Sequence, residues 1–395
     1  MTLGVYIQVP FCQTKCTYCN FYTGVVSRDR YEPYTRAVCR EIEDSTTRQD
    51  AEIDSVYVGG GTPSLLDPAA LAAIIQTLRR TRRFIRVVPD RESSSASVEI
   101  TLEADPETIT IEKARAWLVA GFNRISLGAQ SFNDLELKSA GRVHRRADIP
   151  CAVQSLRDAG FGNISMDLIA GLPHQTRESW EKSIDETLAL RPEHISIYML
   201  EIDEGSRLGK ESLAGGRRYS ATEIPGDDCM AEFYESACAR LAAEGYDHYE
   251  ISNWALPGFR SRHNLKYWRR EPYLGFGAGA HSFDGTTRWA NVHDPARYVA
   301  CIEQGVSPRE QIETVTPTQA LDEELFLGLR QLDGVDFERI GSMYGLAGQS
   351  DRVATLRGRI MNLQKQGLVE FNGNCLRLAP KRLTVSNEVF VEMLG

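Results

Sequence analysis

Val5–Phe21 reads VYIQVPFCQTKCTYCNF. Of the first five residues all but Gln8 are β-branched or aromatic in the way of a strand, and Pro10 stops it. Within the next nine residues the chain places thiols at Cys12, Cys16 and Cys19. A strand therefore delivers three potential metal ligands straight from its C-terminal end. A four-coordinate metal wants a fourth ligand, yet two residues beyond the third cysteine stands Phe21. One corner of the site is left for something the chain does not supply.

Working outward, the same strand-then-helix rhythm repeats. Strand-like SVYVG (Ser55–Gly59), VEITLEA (Val98–Ala104), RISLGAQ (Arg124–Gln130), NISMDLIA (Asn163–Ala170) and HISIYML (His194–Leu200) follow the first. Helical patterns over Tyr31–Asp44, Asp67–Arg82, Ile111–Ala120 and Arg177–Leu190 separate them. Six strand–helix units predict parallel strands with helical crossovers. Strands as apolar as ISIYML fit a sheet covered on both faces. We expect an α/β fold, a partial (β/α)6 TIM-like barrel over residues 1–205, with an open doubly wound sheet as the alternative.

Pro89–Ser97 (PDRESSSAS) reads as a surface loop, Gly205–Gly226 as a second polar stretch, and Ser307–Thr318 as a third break. Residues 206–310 then form an extension of the barrel. From 311 to 395, helical patterns over Leu321–Leu332 and Arg352–Gln366 lead into GLVEFNGNCLRLAP, a hairpin turning at Asn372–Gly373. Helix, helix, hairpin predicts a winged-helix-like α+β module. Nine basic residues there face ten acidic ones between Asp322 and Glu392, so packing is favoured over DNA binding.

The whole chain of 395 residues carries a formal charge of −9, which argues against a nucleic-acid partner. No apolar run approaches the roughly 20 residues that span a bilayer, and the N-terminus lacks the basic and apolar regions of a signal peptide. These features predict a cytoplasmic protein. Six of the nine cysteines (Cys39, Cys151, Cys229, Cys238, Cys301, Cys375) show no pairing logic and read mostly as buried thiols packing as small hydrophobes.

Zinc is the bland occupant of a cysteine cluster, but closed structural zinc needs four protein ligands. No Cys-x-x-Cys or His-x3-His partner pair occurs elsewhere. Three thiolates with an open position fit a [4Fe–4S] cluster whose fourth iron takes an exogenous ligand. The amino and carboxylate groups of S-adenosylmethionine can chelate such an iron. CX3CX2C with an aromatic, Tyr18, before the last cysteine resembles the signature of the radical-SAM superfamily.

In a barrel, functional residues sit at the C-terminal ends of the strands. GGGTPSLL (Gly59–Leu66) follows the second strand, and its glycines let the backbone approach a ligand. No Gly-Lys-[Ser/Thr] follows, which excludes a P-loop. Glu103 ends the third strand and Gln130 the fourth; Asp167 lies in the fifth, and Tyr198 and Met199 near the end of the sixth. Each could singly be a satisfied buried polar group, but their recurrence at one end points to a shared pocket. Arg142 adds a cation that can meet a carboxylate.

YIQVPFC, GGGTP, SLGAQSFND (Ser126–Asp134), SMDLIAGLPHQT (Ser165–Thr176) and the stretch Tyr249–Phe283 narrow the resemblance. Together they resemble the radical-SAM family that contains oxygen-independent coproporphyrinogen III oxidase and the HemW heme chaperones. The resemblance implies S-adenosylmethionine contacts at Tyr6, Gly60, Gly61, Thr62, Glu103, Gln130, Arg142 and Asp167. The oxidase branch has a fourth cysteine where this chain has Phe21, and a long segment before the cluster where this chain has eleven residues. HNLKYW (His263–Trp268) matches a motif of the chaperone branch, as do LDEELFLGLRQLDGVD (Leu321–Asp336) and KRLTVSNEVFVEML. The resemblance thus implies a carrier that binds heme and passes it to an acceptor protein, as a monomer or homodimer. The rival is the oxidase, decarboxylating two propionates by radical chemistry; a radical-SAM methyltransferase is a distant third.

Within HNLKYW, His263 is a candidate axial ligand for heme iron, and Tyr267 and Trp268 can stack on a macrocycle. Lys266, Arg260, Arg262, Arg269 and Arg270 can pair with propionates. The competing reading is a structural loop with His263 hydrogen-bonded and Trp268 packed. His281, in GAGAHSF, is the alternative ligand or a residue lining the barrel near the adenosyl group. His144, His174, His194, His248 and His293 read as structural or surface residues.

Overall fold

The computed structural model describes residues 2–85, 98–344 and 350–394. The serine-rich stretch expected as a loop, 89–97, lies outside them. Strands β1 (Leu3–Val9), β2 (Glu52–Gly60), β3 (Arg83–Phe84), β4 (Glu99–Ala104), β5 (Arg124–Gln130), β6 (Ile164–Ala170) and β7 (His194–Met199) alternate with helices. β1, β2, β4, β5, β6 and β7 are neighbours in that order and pair in parallel. These are the six strands expected from the sequence, while β3 is a two-residue parallel appendage of β2.

The sheet continues past both ends of this core. β8 (Asp247–Glu250) and β9 (Asn253–Ala255) form a hairpin whose second strand runs antiparallel beside β7. On the other side β10 (Tyr273–Phe276) joins β1 in parallel. β11 (His281–Phe283), β12 (Thr287–Asn291) and β13 (Arg309–Thr314) extend it as an antiparallel meander. Because β10 points the same way as β1, the turn after it opens at the same mouth as the cysteine loop. β11 starts from that mouth and runs back.

Alternation along the strands explains the curl. Leu3, Val5, Ile7 and Val9 of β1 are essentially inaccessible and belong to one continuous apolar core with Val38, Ile42, Leu71 and Ile75 of the surrounding helices. The intervening Tyr6 and Gln8 turn the other way, and Tyr6 lies abreast of Tyr57 in the ladder. Further along, Ser126 donates to Asp167 at 2.9 Å, and Ser165 meets His194 at 2.7 Å. The barrel interior is therefore polar and hydrogen-bonded, and only the outer face is greasy. The sequence suggested more uniformly apolar strands; serines and threonines at the inward positions make the difference.

The C-terminal part carries its own sheet, β14 (Val335–Asp336), β15 (Val369–Asn372) and β16 (Cys375–Leu378), in the order β14-β16-β15. Gly373, at φ +60°, makes the tight turn of the β15–β16 hairpin. Helices Pro317–Gly328, Phe337–Met343, Ser350–Lys365 and Ser386–Leu394 accompany it. The first is opened by a reciprocal cap between Thr316 and Gln319. Helix and hairpin thus follow the expected order. No described helix is long and apolar enough to cross a membrane.

Candidate functional site

The loop after β1 is held on three sides. Cys12 N–H donates to the Gly24 carbonyl at 3.0 Å, and Gly24 N–H returns to Pro10 at 2.9 Å. Thr17 donates through its N–H to Ala140 and through its hydroxyl to Ser139. Its carbonyl in turn accepts from Leu208 N–H at 2.8 Å. Cys19 N–H turns back to the Cys16 carbonyl at 3.4 Å. The loop is thus anchored before any ligand binds, with its thiols turned to the barrel mouth.

Cys12, Cys16, Cys19 and Tyr18 line one cavity of about 440 Å³. From the strand ends and the segments that follow them it also takes Gly60, Gly61, Thr62, Glu103, Gln130, Arg142, Asp167, Tyr198 and Met199. These residues, all singled out in the sequence, are thus brought together. Tyr6, His263 and His281 are not among its walls.

Several features fit this cavity to the expected cluster and nucleoside. All three cysteines are free thiols. Gly61 has no room for a side chain: a Cβ there would strike the Phe11 carbonyl and lie 2.9 Å from Cys12 Sγ. Gly60, at φ +114°, turns its N–H onto Glu103 at 2.9 Å. Gln130 adopts a left-handed φ of +63° where the β5–β6 register shifts, a conformation that costs about 1 kcal/mol or more in a non-glycine residue. That strain lies at the mouth, where it re-aims the chain end toward the cavity.

Charge is concentrated here. Arg142 is nearly buried and pairs with Asp105. It also donates to the Gly128 carbonyl at 2.9 Å, and its other Nη lies 3.5 Å from Cys16 Sγ. Asp105 in turn accepts from Thr62 at 3.0 Å. The arginine is therefore a cation set against a cluster sulfur as much as a partner for a ligand carboxylate. Burial pushes the Glu103 carboxyl up to about 7 despite the Gly60 N–H and the Tyr57 hydroxyl. Burial likewise raises Asp167, against hydrogen bonds from Ser196 and Ser126. Two desolvated carboxylates facing one cavity suit a cationic ligand group.

Asp105 and Tyr57 also line the cavity, and the sequence reading did not single them out. Asp105 carried a signal, since it lies two residues beyond Glu103 and so on the same side of an extended chain. Tyr57 reads as an ordinary apolar strand residue, and only the curl turns it inward.

His263 lies at the opposite end of the barrel. Its Nδ1 is 3.0 Å from Ser55 Oγ and its Nε2 is 3.0 Å from the Tyr267 hydroxyl. Ser55 pairs with Gly4 and Glu99 near the starts of β1 and β4, and Gly60 closes β2, so the two sites lie about 16 Å apart along the strand. The ring is 1% exposed; burial, then Lys266 and Arg124, depress its pKa to about 3, so it is neutral. Tyr6 and Tyr57 stack inward of it, with Tyr57 at 5.3 Å and Tyr6 at 6.2 Å. Tyr6 is therefore part of this aromatic floor, its hydroxyl donating to Gln8 at 2.9 Å.

The rest of HNLKYW seals the same end. Glu99 caps the helix Arg262–Trp268 through the N–H groups of Arg262 and His263, both at 3.1 Å. Lys266, 2% exposed, reaches Asp54 at 2.9 Å and Glu271 at 3.0 Å. Its stem passes Gly4, where any Cβ would lie 2.8 Å from Lys266 Cδ. Arg260 bridges Asp247 and Asp333, Arg270 holds Glu323, and Arg330 lies over the Trp268 ring at 4.5 Å. These contacts tie the barrel floor to the C-terminal helices. His281, by contrast, is exposed and starts β11 at the cysteine mouth.

Comparison with known proteins follows the same lines. Residues 6–187 match the model of the Radical SAM superfamily, and residues 315–381 that of the HemN C-terminal domain. The chain is 34% identical over 99% of its length, and 99% of the relative's, to the heme chaperone HemW of Bacillus subtilis. It is 33% identical to HemW of Mycobacterium tuberculosis, over 99% of this chain and 95% of that one. Among solved structures, the coproporphyrinogen III oxidase HemN from Escherichia coli superposes with a TM-score of 0.82 at 22% identity, over 99% of this chain and 90% of that one. That likeness speaks for the fold.

Proposed function

The chain belongs to the family of the HemW heme chaperones, within the radical SAM superfamily, and from this we propose that it binds heme and hands it to an acceptor protein. In this reading it carries a [4Fe–4S] cluster on Cys12, Cys16 and Cys19 and binds S-adenosylmethionine beside it. The observation that carries the reading is the three-thiol mouth with Phe21 in the fourth position, in a chain similar to the chaperones from end to end. The domain division we propose is a core barrel over 1–205, an extension over 206–310 and the C-terminal module over 311–395. Nine free thiols support a reducing, cytoplasmic location.

Gly60, Gly61 and Thr62 would present backbone groups to the methionyl end, and Glu103 its carboxylate to the ammonium. Gln130, Asp167 and Met199 would complete the walls around the nucleoside. Arg142 sets a positive charge beside the Cys16 sulfur. When bound, the cluster supplies an electron to the sulfonium. The residues around it bind, orient and keep water out.

Glu103 supplies a pH test. Its carboxyl loses its proton near pH 7 in the folded chain, against an ordinary 4.5. The folded state therefore holds the extra proton between those values, and this group's contribution to stability falls as pH rises from 4.5 through 7. Ligand binding should show the opposite trend, strengthening as the carboxylate forms. We expect Glu103→Gln to melt higher than wild type at pH 8 without ligand, and to lose the pH-dependent gain in S-adenosylmethionine affinity. Calorimetry at pH 6 and 8 checks both; an unchanged affinity profile in the variant contradicts the assignment.

The function itself is tested by loading the reconstituted protein with hemin anaerobically and mixing it with an apo-heme protein. Saturable binding followed by transfer of the Soret band to the acceptor is the expected result. No saturable binding, or vinyl products from coproporphyrinogen III, would replace this reading with the oxidase.

A further inference from the structure

The function proposed above needs a heme site, and the HNLKYW helix does not offer one. Both nitrogens of His263 are hydrogen-bonded and its ring is sealed beneath Tyr6 and Tyr57. The cysteine mouth offers a different arrangement. The two residues after the cluster loop's Asn20 are Phe21 and Tyr22, 65% and 67% exposed. Adjacent aromatic rings left in water mark a binding surface more often than a single exposed hydrophobe does. Phe21 also borders the 440 Å³ cavity, so the ledge continues into it.

Two histidines stand beside this ledge. The ring of His293 stacks against Tyr22 at 4.0 Å between centroids, with the planes 22° apart. Its Nδ1 is buried and has no hydrogen-bond partner among the described residues. Gly279, at φ +73°, runs past that atom where a Cβ would lie 3.3 Å away. His281, two residues on, is exposed where β11 leaves the mouth, paired with Ala290 of β12. Burial, then the neighbouring His293 and Arg288, lower its pKa, leaving the imidazole neutral at physiological pH. Neutral imidazole is the form that ligates a metal. At the same edge, the Lys15 ammonium sits 3.1 Å from the Phe21 carbonyl and provides a cation suited to a carboxylate.

An exposed imidazole, two exposed aromatic side chains and a nearby cation match the parts of a metalloporphyrin: the metal, the macrocycle and a propionate. We propose that heme docks at the barrel mouth against Phe21 and Tyr22, with His281 as axial ligand and His293 holding the Tyr22 ring. This inference rests on the chaperone reading and moves the heme site from the barrel floor to the side of the cluster loop.

The test is an anaerobic hemin titration of the cluster-reconstituted full chain, following the Soret band and the ferric spin state. His281→Ala should weaken binding by about tenfold or more and change the spin state, and added imidazole should restore the wild-type spectrum. A Phe21→Ser, Tyr22→Ser double variant should weaken binding while keeping the wild-type spin state, because the ligand remains. Iron content equal to wild type shows that each variant is folded. Wild-type binding and spectrum in His281→Ala overturn the site and leave the chaperone reading standing. No saturable hemin binding by the wild type overturns the chaperone reading, and this site with it.

Discussion

Replacing Cys16 by alanine abolishes retention of the iron–sulfur cluster. In the proposed site each of the three cysteines would hold one corner of a cubane and the fourth would lack a protein ligand, so a second open corner would leave the cluster labile. Cys16 also meets Arg142 at 3.5 Å, and its loss leaves that guanidinium facing the cavity without its sulfur. After anaerobic reconstitution, iron and sulfide should fall to background, and the visible absorbance of the cluster should vanish. The same holds for Cys12→Ala and Cys19→Ala. Cys151→Ala should keep the full complement, because that thiol is exposed on a helix far along the chain. Retention of a full cluster in any of the three loop variants contradicts the assignment.

The second large effect is on stability. His263→Ala removes a ring that is buried between Ser55, Tyr57 and Tyr267. Two hydroxyls lose their partner and a side-chain-sized void opens in the barrel floor. Unmade buried hydrogen bonds and cavities of this kind cost about 2–4 kcal/mol. The floor also carries the links to the C-terminal helices through Arg260, Arg270 and Trp268, so loosening should spread to that module. Chemical denaturation should show a midpoint shifted down by that amount, while hemin affinity of the folded variant stays near wild type. An intact denaturation midpoint together with lost hemin binding would return the heme site to HNLKYW.

The contrast between those two residues shows what was legible in the sequence. The cysteine loop declared itself because its ligands are close in the chain, so spacing alone carries the geometry. Glu103, Gln130 and Asp167 could be placed because strand ends in a parallel barrel share one mouth, a rule that needs only the strand boundaries. His263 could not be placed, since its position depends on a parallel strand, Tyr273–Phe276, that follows it and pairs with the first strand across about 270 residues of chain. No local pattern in YLGF declares such a partner. The same strand decides His281, because its direction brings the following turn to the cysteine end. The arrangement of Arg142 was half legible: a cation near the pocket was expected, but its engagement with Asp105 and Cys16 depends on three segments meeting.

The chemistry of the mouth follows from a division of labour in the fold. Apolar residues outside the barrel hold the strands rigid, so the inner row of serines, tyrosines and carboxylates can be specified for ligands rather than for packing. The floor is closed by a helix tied down through Glu99, Ser55, Asp54 and Glu271. Among the described residues, the cysteine end holds the cavity of about 440 Å³ and the exposed rings of Phe21 and Tyr22.

The most direct test is electron paramagnetic resonance of the reconstituted, reduced protein, recorded with and without S-adenosylmethionine. If the corner opposite Cys12, Cys16 and Cys19 is the open one, added S-adenosylmethionine ligates that iron and shifts the g values of the reduced [4Fe–4S] signal. A signal that is identical with and without saturating S-adenosylmethionine would mean that the corner is closed, and the site described here would be wrong at its centre.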